Sequence, residues 1–275
     1  MDIKLIALDL DGTLLLPDKS LSPRNRAALT AAADRGIHIV PTTGRLFAGL
    51  PEVVRDLPFV RYAVTVNGGQ VEDARSGEVL HSARIPLDLA MEVYAYLDTL
   101  PVIYDCYVGG EAFIPAPFYD RMGEFMYDDP HNLAMTRALR KPVDDFKGLL
   151  LRRGEPLQKL QCFVVDPADR PAIMDELRRR FPGLDVTWSL PHNIEVGAAA
   201  ARKGEALRFL CSYLGFTLAN AAAFGDGPND VSMLSAAGAG VAMGNAVPEA
   251  LAAARYRTAP NTEDGVARFV EQYIL

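Results

Sequence analysis

Ile3-Lys4-Leu5-Ile6-Ala7-Leu8-Asp9-Leu10-Asp11-Gly12-Thr13 is the stretch that decides the fold. Ile3 to Leu8 is a nearly continuous apolar run, the pattern of a strand buried on both faces of a parallel sheet, and Gly12 ends it. Carboxylates at i and i+2 along a strand point the same way. Asp9 and Asp11 should therefore face the crevice beyond the strand's carboxyl end, where open α/β sheets bind ligands. Two carboxylates held this close repel unless a cation sits between them or one takes a proton, which suits a hard cation and acid/base work.

Working outward, Ser22 as N-cap, Pro23 at the first helical position and Gly36 past Arg35 bracket an Ala/Leu-rich helix. Ile37 to Val40 and Tyr62 to Val66 supply further strands, the latter ending at Asn67-Gly68-Gly69. The same grammar returns after residue 190. Ala206, Leu207, Phe209, Leu210, Tyr213 and Leu214 form a helix stripe closed by Gly215, and Ala221 to Phe224 and Gly240 to Met243 are strands around a helix from Val231 to Ala237. Alternating strands and helices predict a Rossmann-like, doubly wound α/β core with a parallel sheet.

Between them the pattern changes. Ile103 to Val108, Gly109-Gly110 and Glu111 to Ile114 read as a hairpin, and strands at Leu160 to Val165 and Leu184 to Ser189 flank a helix from Pro167 to Phe181. The expected division is a core of 1–82 plus 190–275 carrying an inserted α+β cap, 83–189.

A second acidic cluster, Gly225-Asp226-Gly227-Pro228-Asn229-Asp230, follows the strand Ala221 to Phe224. Strand ends in a parallel sheet converge on one edge, which brings Asp226 and Asp230 toward Asp9 and Asp11. Asp-Gly pairs also make plain turns, but two dense clusters, each after a buried strand, favour the chemical reading. Mg²⁺ takes one or two carboxylates plus water and substrate phosphate. Thr42-Thr43-Gly44-Arg45 ends a third strand and offers a hydroxyl and N–H groups to phosphate oxygens, or else a simple N-cap. Lys203-Gly204 opens a helix against its dipole, which points to a nearby anion if the lysine is not merely solvated. The glycines of 238–244 surround a strand and are one residue out of register for GxGxxG, so they read as sheet packing. His38 reads as a core residue.

The whole chain bounds these readings. Its 275 residues carry 28 basic and 35 acidic side chains, a net charge of −7, with 49% apolar and 23% charged residues. That is a globular composition with room for one or two domains. The acidic balance opposes binding to nucleic acid or an anionic membrane, and a phosphorylated substrate then needs a local counter-charge. Neither a signal peptide nor an apolar stretch long enough to span a bilayer is expected, so a cytoplasmic protein is the expectation. Cys106, Cys162 and Cys211 form no CxxC pair and read as reduced core thiols.

Taken in order, Asp9-Leu10-Asp11-Gly12-Thr13, Thr43-Gly44-Arg45, Lys203-Gly204 and Gly225 to Asp230 make the chain resemble a haloacid-dehalogenase-superfamily (HAD) phosphatase, most closely the Cof-type group of subfamily IIB. The resemblance implies a Mg²⁺-dependent phosphohydrolase acting on a small phosphorylated metabolite such as a sugar phosphate. In it Asp9 attacks phosphorus to give an aspartyl phosphate. Asp11 is the acid/base, which requires a carboxyl kept protonated in the first step. Mg²⁺ is held by Asp9, the backbone carbonyl of Asp11 and Asp226, with Asp230 a water-bridged ligand or the partner of one. Thr43, Gly44, Lys203, Asn229 and Asn67 bind phosphate. The cap would choose the substrate, with Tyr104, Tyr107, His131 and Trp188 as candidate contacts. A phosphomutase and a noncatalytic phosphometabolite-binding module are the alternatives, and a monomer or homodimer is expected.

Overall fold

Leu5–Leu8 forms a strand whose four residues are all buried, as a run with no polar side chain to offer water requires. The computed structural model describes residues 1–127 and 130–275 and divides them into two units, Met1–Ser82 with Ala201–Leu275, and Ala83–Ala200. In the first unit Leu5–Leu8 lies between parallel partners His38–Pro41 and Ala221–Gly225. Ala239–Ala242 and Tyr256–Arg257 extend the same sheet.

Helices cover both faces of this sheet. Pro23–Asp34 opens with Ser22 Oγ accepting the Asn25 N–H at 3.0 Å, a cap worth about 1 kcal/mol. With Gly265–Tyr273 it encloses Ile6, Leu8 and Phe224. On the other face Lys203–Tyr213 packs Ala206, Leu207 and Leu210 against Leu5, Ala7, Ala221 and Ala223. Each leucine so buried contributes about 1.5–3 kcal/mol. The stripe differs from its expected membership, because Cys211 is buried while Tyr213 is 54% exposed beside Phe209. His38 is half-buried rather than a core residue, its ring tilted against those of Tyr62 and Phe216. Gly240 does serve packing, since a methyl there would meet Leu234 O at 1.9 Å.

Tyr62–Thr65, expected in the parallel sheet, instead heads a three-stranded antiparallel sheet with Gln70–Asp73 and Val79–Ser82. Isolated parallel bridges, Ile39 to Val60 and Thr42 to Val64, link it to His38–Pro41. The turn after it runs through Val66, Asn67 and Gly68 at φ of 54°, 56° and 95°. For a β-branched valine that backbone costs about 1–3 kcal/mol. Gly68 is there because a methyl would meet Arg202 O at 2.3 Å.

The inserted unit is built on a six-stranded sheet in the order Leu184–Thr187, Asn193–Ala198, Lys159–Phe163, Ile103–Val108, Glu111–Pro115, Arg140–Val143. Its hairpin turns at Gly109 and Gly110 with φ of 61° and 79°, as the glycine pair required. One sheet face buries Tyr104, Cys106, Leu160, Cys162, Ile194 and Val196 in an apolar cluster with residues of Leu87–Leu97, Phe146–Arg153 and Arg170–Arg180. The insert ends at Ala200 and not at 189, because Asn193–Ala198 pairs antiparallel with both Leu184–Thr187 and Lys159–Phe163. Cys106, Cys162 and Cys211 are buried and free. Among the described residues no helix is long and apolar enough to cross a membrane.

Candidate active site

Leu8 pairs with Phe224 in register, so the acids that follow the two strands emerge side by side. Oxygens of Asp9, Asp226 and Asp230 lie within 4.8 Å of one another. Lys203, the first residue of its helix and fully buried, places Nζ 2.6 Å from Asp9 Oδ1 and 2.6 Å from Asp230 Oδ1. The ammonium that opposes its own helix dipole is thus held by two carboxylates.

Asp230 uses its other oxygen to accept the N–H groups of Asp226 and Gly227, both at 2.9 Å, so it shapes the loop as well as pairing with Lys203. Thr13 Oγ1 donates to Asp226 Oδ1 at 2.6 Å. The two acidic loops approach so closely at Gly12, which has φ of +83°, that a methyl there would stand 2.3 Å from Asp226 Oδ2. Gly12→Ala is therefore expected to lower stability by about 1–2 kcal/mol from the backbone alone and to displace Asp226. A denaturant midpoint and a divalent-cation titration of the variant read the two effects separately.

Burial pushes the Asp9 carboxyl well above its ordinary value, and Asp230 and Asp226 push the same way against Lys203. Asp226 is raised to about 7, by burial first and then by Asp230, with the Thr13 hydrogen bond and Lys203 opposing. Burial works against the Lys203 ammonium, yet Asp230 and Asp9 outweigh it and raise its pKa. Three carboxylates facing one lysine leave room for further positive charge. Their all-oxygen donor set fits a hard divalent cation.

Asp11 behaves differently. Burial would raise its carboxyl, but Arg45 and Lys19 outweigh burial and hold it below the ordinary value. Arg45 bonds it through Nε to Oδ2 at 2.9 Å and through Nη2 to Oδ1 at 2.8 Å, and Lys19 Nζ reaches Oδ1 at 2.7 Å. In the resting fold these two cations favour the ionised form of Asp11, whereas the first chemical step expected of it needs the protonated form.

Of the phosphate-binding candidates, Thr43 is buried and its Oγ1 accepts the Arg45 N–H at 3.3 Å across Gly44. Asn67 N–H donates to Thr43 O at 2.9 Å, and Asn229 Nδ2 donates to Asn67 Oδ1 at 3.2 Å. The left-handed turn at Val66 to Gly68 thus links the third strand end to the second acidic loop. Arg45 and Thr13 stood inside the quoted motifs without a role, whereas Lys19 and Asn245 carried no local signal. Asn245 Nδ2 donates to Gly12 O at 2.8 Å while its Oδ1 accepts the Asn261 N–H at 3.0 Å. In the insert Tyr104 is a core residue bonded to Asp98 Oδ1 at 2.8 Å, and Trp188 lies 3.8 Å beneath the Arg170 guanidinium. The side chain of His131 lies outside the described residues.

A family model for haloacid dehalogenase-like hydrolases matches residues 6–270. The chain belongs to that family. Within it the chain is a Cof-type phosphatase of the HAD superfamily. It is 31% identical over 277 residues to the 5-amino-6-(5-phospho-D-ribitylamino)uracil phosphatase of Bacillus subtilis (strain 168), covering 100% of this chain and 97% of the relative. It is 27% identical over 278 residues to the pyridoxal phosphate phosphatase of Escherichia coli (strain K12), covering 100% of both. A solved haloacid dehalogenase-like hydrolase from B. subtilis superposes with a TM-score of 0.85 at 28% identity, covering 99% of this chain and 100% of that one. In this HAD phosphatase the paired aspartates, the buried lysine and the second acidic loop belong to the core unit alone.

Proposed function

We propose that this hydrolase removes phosphate from a small phosphorylated metabolite, a sugar phosphate or a similarly polar monoester, through an aspartyl phosphate on Asp9 with Mg²⁺. The observation that carries the reading is Lys203 Nζ bridging Asp9 and Asp230 at 2.6 Å each, with Asp226 in the same acidic cluster. Two relatives named as phosphatases of a ribitylaminouracil phosphate and of pyridoxal phosphate support the metabolite class.

Asp9 and Asp226 with the Asp11 backbone carbonyl would hold Mg²⁺, with Asp230 beside them. When bound, the ion offsets phosphoryl charge and lets Asp9 stay ionised next to its acidic neighbours. Asp9 is then the nucleophile. Attack on phosphorus forms the Asp9–phosphate bond and releases the metabolite's oxygen, which takes a proton from Asp11. That proton must first be gained against the pull of Arg45 and Lys19. In the second half Asp11, ionised again, takes a proton from the attacking water, whose oxygen bonds to phosphorus as the Asp9–phosphate bond breaks, releasing inorganic phosphate and restoring the Asp9 carboxylate. Lys203, Thr43 and the Gly44 N–H offer donors to the phosphoryl oxygens, with Asn229 and Asn67 alongside.

The test is a phosphate-release screen over several dozen phosphorylated metabolites, with Mg²⁺ and with chelator. Release that is lost on chelation and restored by Mg²⁺ is the expected result. Turnover indifferent to chelator overturns the metal role, and no release from any monoester overturns the reading.

A further inference from the structure

The two acidic loops of the core carry like charges, and the strands beneath them stop holding them together before most of the acids are reached. Leu8 pairs with Phe224, and the Asp9 N–H donates to Phe224 O at 3.0 Å. Beyond that bond, residues 10–15 and 225–230 share no backbone hydrogen bond among the described residues. The side-chain bond from Thr13 Oγ1 to Asp226 Oδ1, at 2.6 Å, joins them directly. Burial and the mutual repulsion of Asp9, Asp226 and Asp230 work to part the loops, so their spacing needs further support.

The turn after Ala239–Ala242 reaches both loops. Its Met243 N–H donates to Gly225 O at 3.1 Å and its Val247 N–H to Asp226 O at 2.9 Å. Between these two, Asn245 Nδ2 donates to Gly12 O at 2.8 Å. The turn is itself rigidly seated. The Ala246 N–H closes it on Met243 O at 3.0 Å, the Gly244 N–H donates to Ala259 O at 3.2 Å, and a methyl on Gly244 would meet Pro260 at 2.7 Å. Asn245 Oδ1 accepts the Asn261 N–H at 3.0 Å, which orients the amide so that its NH₂ group meets the Gly12 carbonyl. A group that accepts on one side and donates on the other is what an amide supplies. The Asn245 side chain is nevertheless exposed, so the global stability it contributes is about 1 kcal/mol or less.

We infer that Asn245 is a positioning residue: it holds the Gly12 carbonyl from the same turn that holds the Gly225 and Asp226 carbonyls, and so sets the spacing of the two acidic loops and their affinity for a divalent cation. Gly12 is the residue through which this acts. It lies between the Asp11 carbonyl assigned to Mg²⁺ above and Thr13, which bonds Asp226. The inference rests on the Mg²⁺ reading and deepens it by assigning a residue outside both acidic loops to cation affinity.

The experiment is a calorimetric titration of metal-free protein with MgCl₂, with melting curves in chelator on the same samples. It uses the wild type, Asn245→Leu, which keeps the size and removes both bonds, and Thr258→Val. The last removes a neighbouring bond, Thr258 Oγ1 to Gly265 O at 2.6 Å, that touches neither acidic loop. The Mg²⁺ dissociation constant is expected to rise about tenfold in Asn245→Leu with little change in melting, and to stay put in Thr258→Val. The Mg²⁺ concentration that half-activates release from para-nitrophenyl phosphate should rise with it, while the rate at saturating Mg²⁺ falls less. An unchanged dissociation constant in Asn245→Leu, or an equal rise in Thr258→Val, assigns the turn to structure and overturns the inference. If the wild type binds no Mg²⁺, the metal reading fails by itself, and hydrogen exchange of the Thr13, Leu14 and Leu15 N–H groups, all bonded to Leu10 O, then decides. Faster exchange there in Asn245→Leu at unchanged melting upholds the spacing role, and equal exchange overturns it.

Discussion

Asp9→Asn is expected to lose phosphate release by about 10⁴-fold or more while melting no lower than the parent protein. The two halves of this expectation come from one geometry. Asp9 is 7% exposed, and burial together with Asp230 and Asp226 makes its ionised form costly in the folded chain. An amide of the same shape carries no charge to repel its neighbours. Lys203 keeps Asp230 at 2.6 Å, so the buried ammonium is not orphaned by the change. Stability thus holds or rises while the nucleophile is gone. Kinetics and a melting curve on the same sample check both, and trapping a phosphorylated protein from the parent but not the variant locates the covalent step. A variant that keeps more than about a hundredth of the activity would show that the attacking group lies elsewhere.

The acidic half of this candidate site was legible because it is local. Asp9 and Asp11 are two residues apart on a strand whose apolar run announces its burial, and Asp226 and Asp230 follow a strand of the same kind. Parallel pairing of Leu8 with Phe224 does the rest. Lys203 was legible for the opposite reason, as a residue at odds with its helix dipole. What stayed hidden depends on long-range partners. Asp11 is held below the ordinary carboxylate value by Arg45 together with Lys19, which reaches it from a turn where its own backbone has φ of 65°, and no periodicity encodes that reach. The end of the insert was misplaced because Asn193 to Ala198 continues straight into the core sequence, and its membership follows from pairing with a strand some thirty residues earlier. Tyr62–Thr65 had the right apolar run but left the parallel sheet, since a left-handed turn at Val66 to Gly68 folds it back into a hairpin. Within the insert, Asp105, Lys159, Gln161 and Glu195 look like ordinary polar alternation on half-solvated strands. They are instead buried, and Arg140 joins Asp105 to the Tyr107 hydroxyl.

Lys203→Met should be the most damaging single change to the stability of the core, by about 3–5 kcal/mol in metal-free protein at pH 8, since it leaves a buried charge without its partner. Methionine fills the space of the fully buried lysine, so the loss is electrostatic rather than a cavity. Asp9 and Asp230 would then face each other with Asp226 close by and no ammonium between them. The pH dependence follows in sign. A carboxyl raised in the folded state holds a proton there that the unfolded chain has released, so stability falls as pH rises across that interval. For Asp226 in the parent the interval runs from 3.8 to about 7. Without Lys203, which lowers both Asp9 and Asp226, it widens upward. The variant's deficit should therefore shrink as the pH is taken from 8 toward 5, and saturating Mg²⁺ should recover part of it at pH 8 by supplying the missing charge. Melting curves at several pH values, with chelator and with Mg²⁺, measure all three trends. A deficit that is the same at every pH would mean that Lys203 contributes packing and not charge. In that case the three carboxylates are kept apart by something other than the lysine. A deficit that closes with acid or with metal identifies one shared requirement, positive charge at the meeting of two strand ends, which lysine meets in the resting fold.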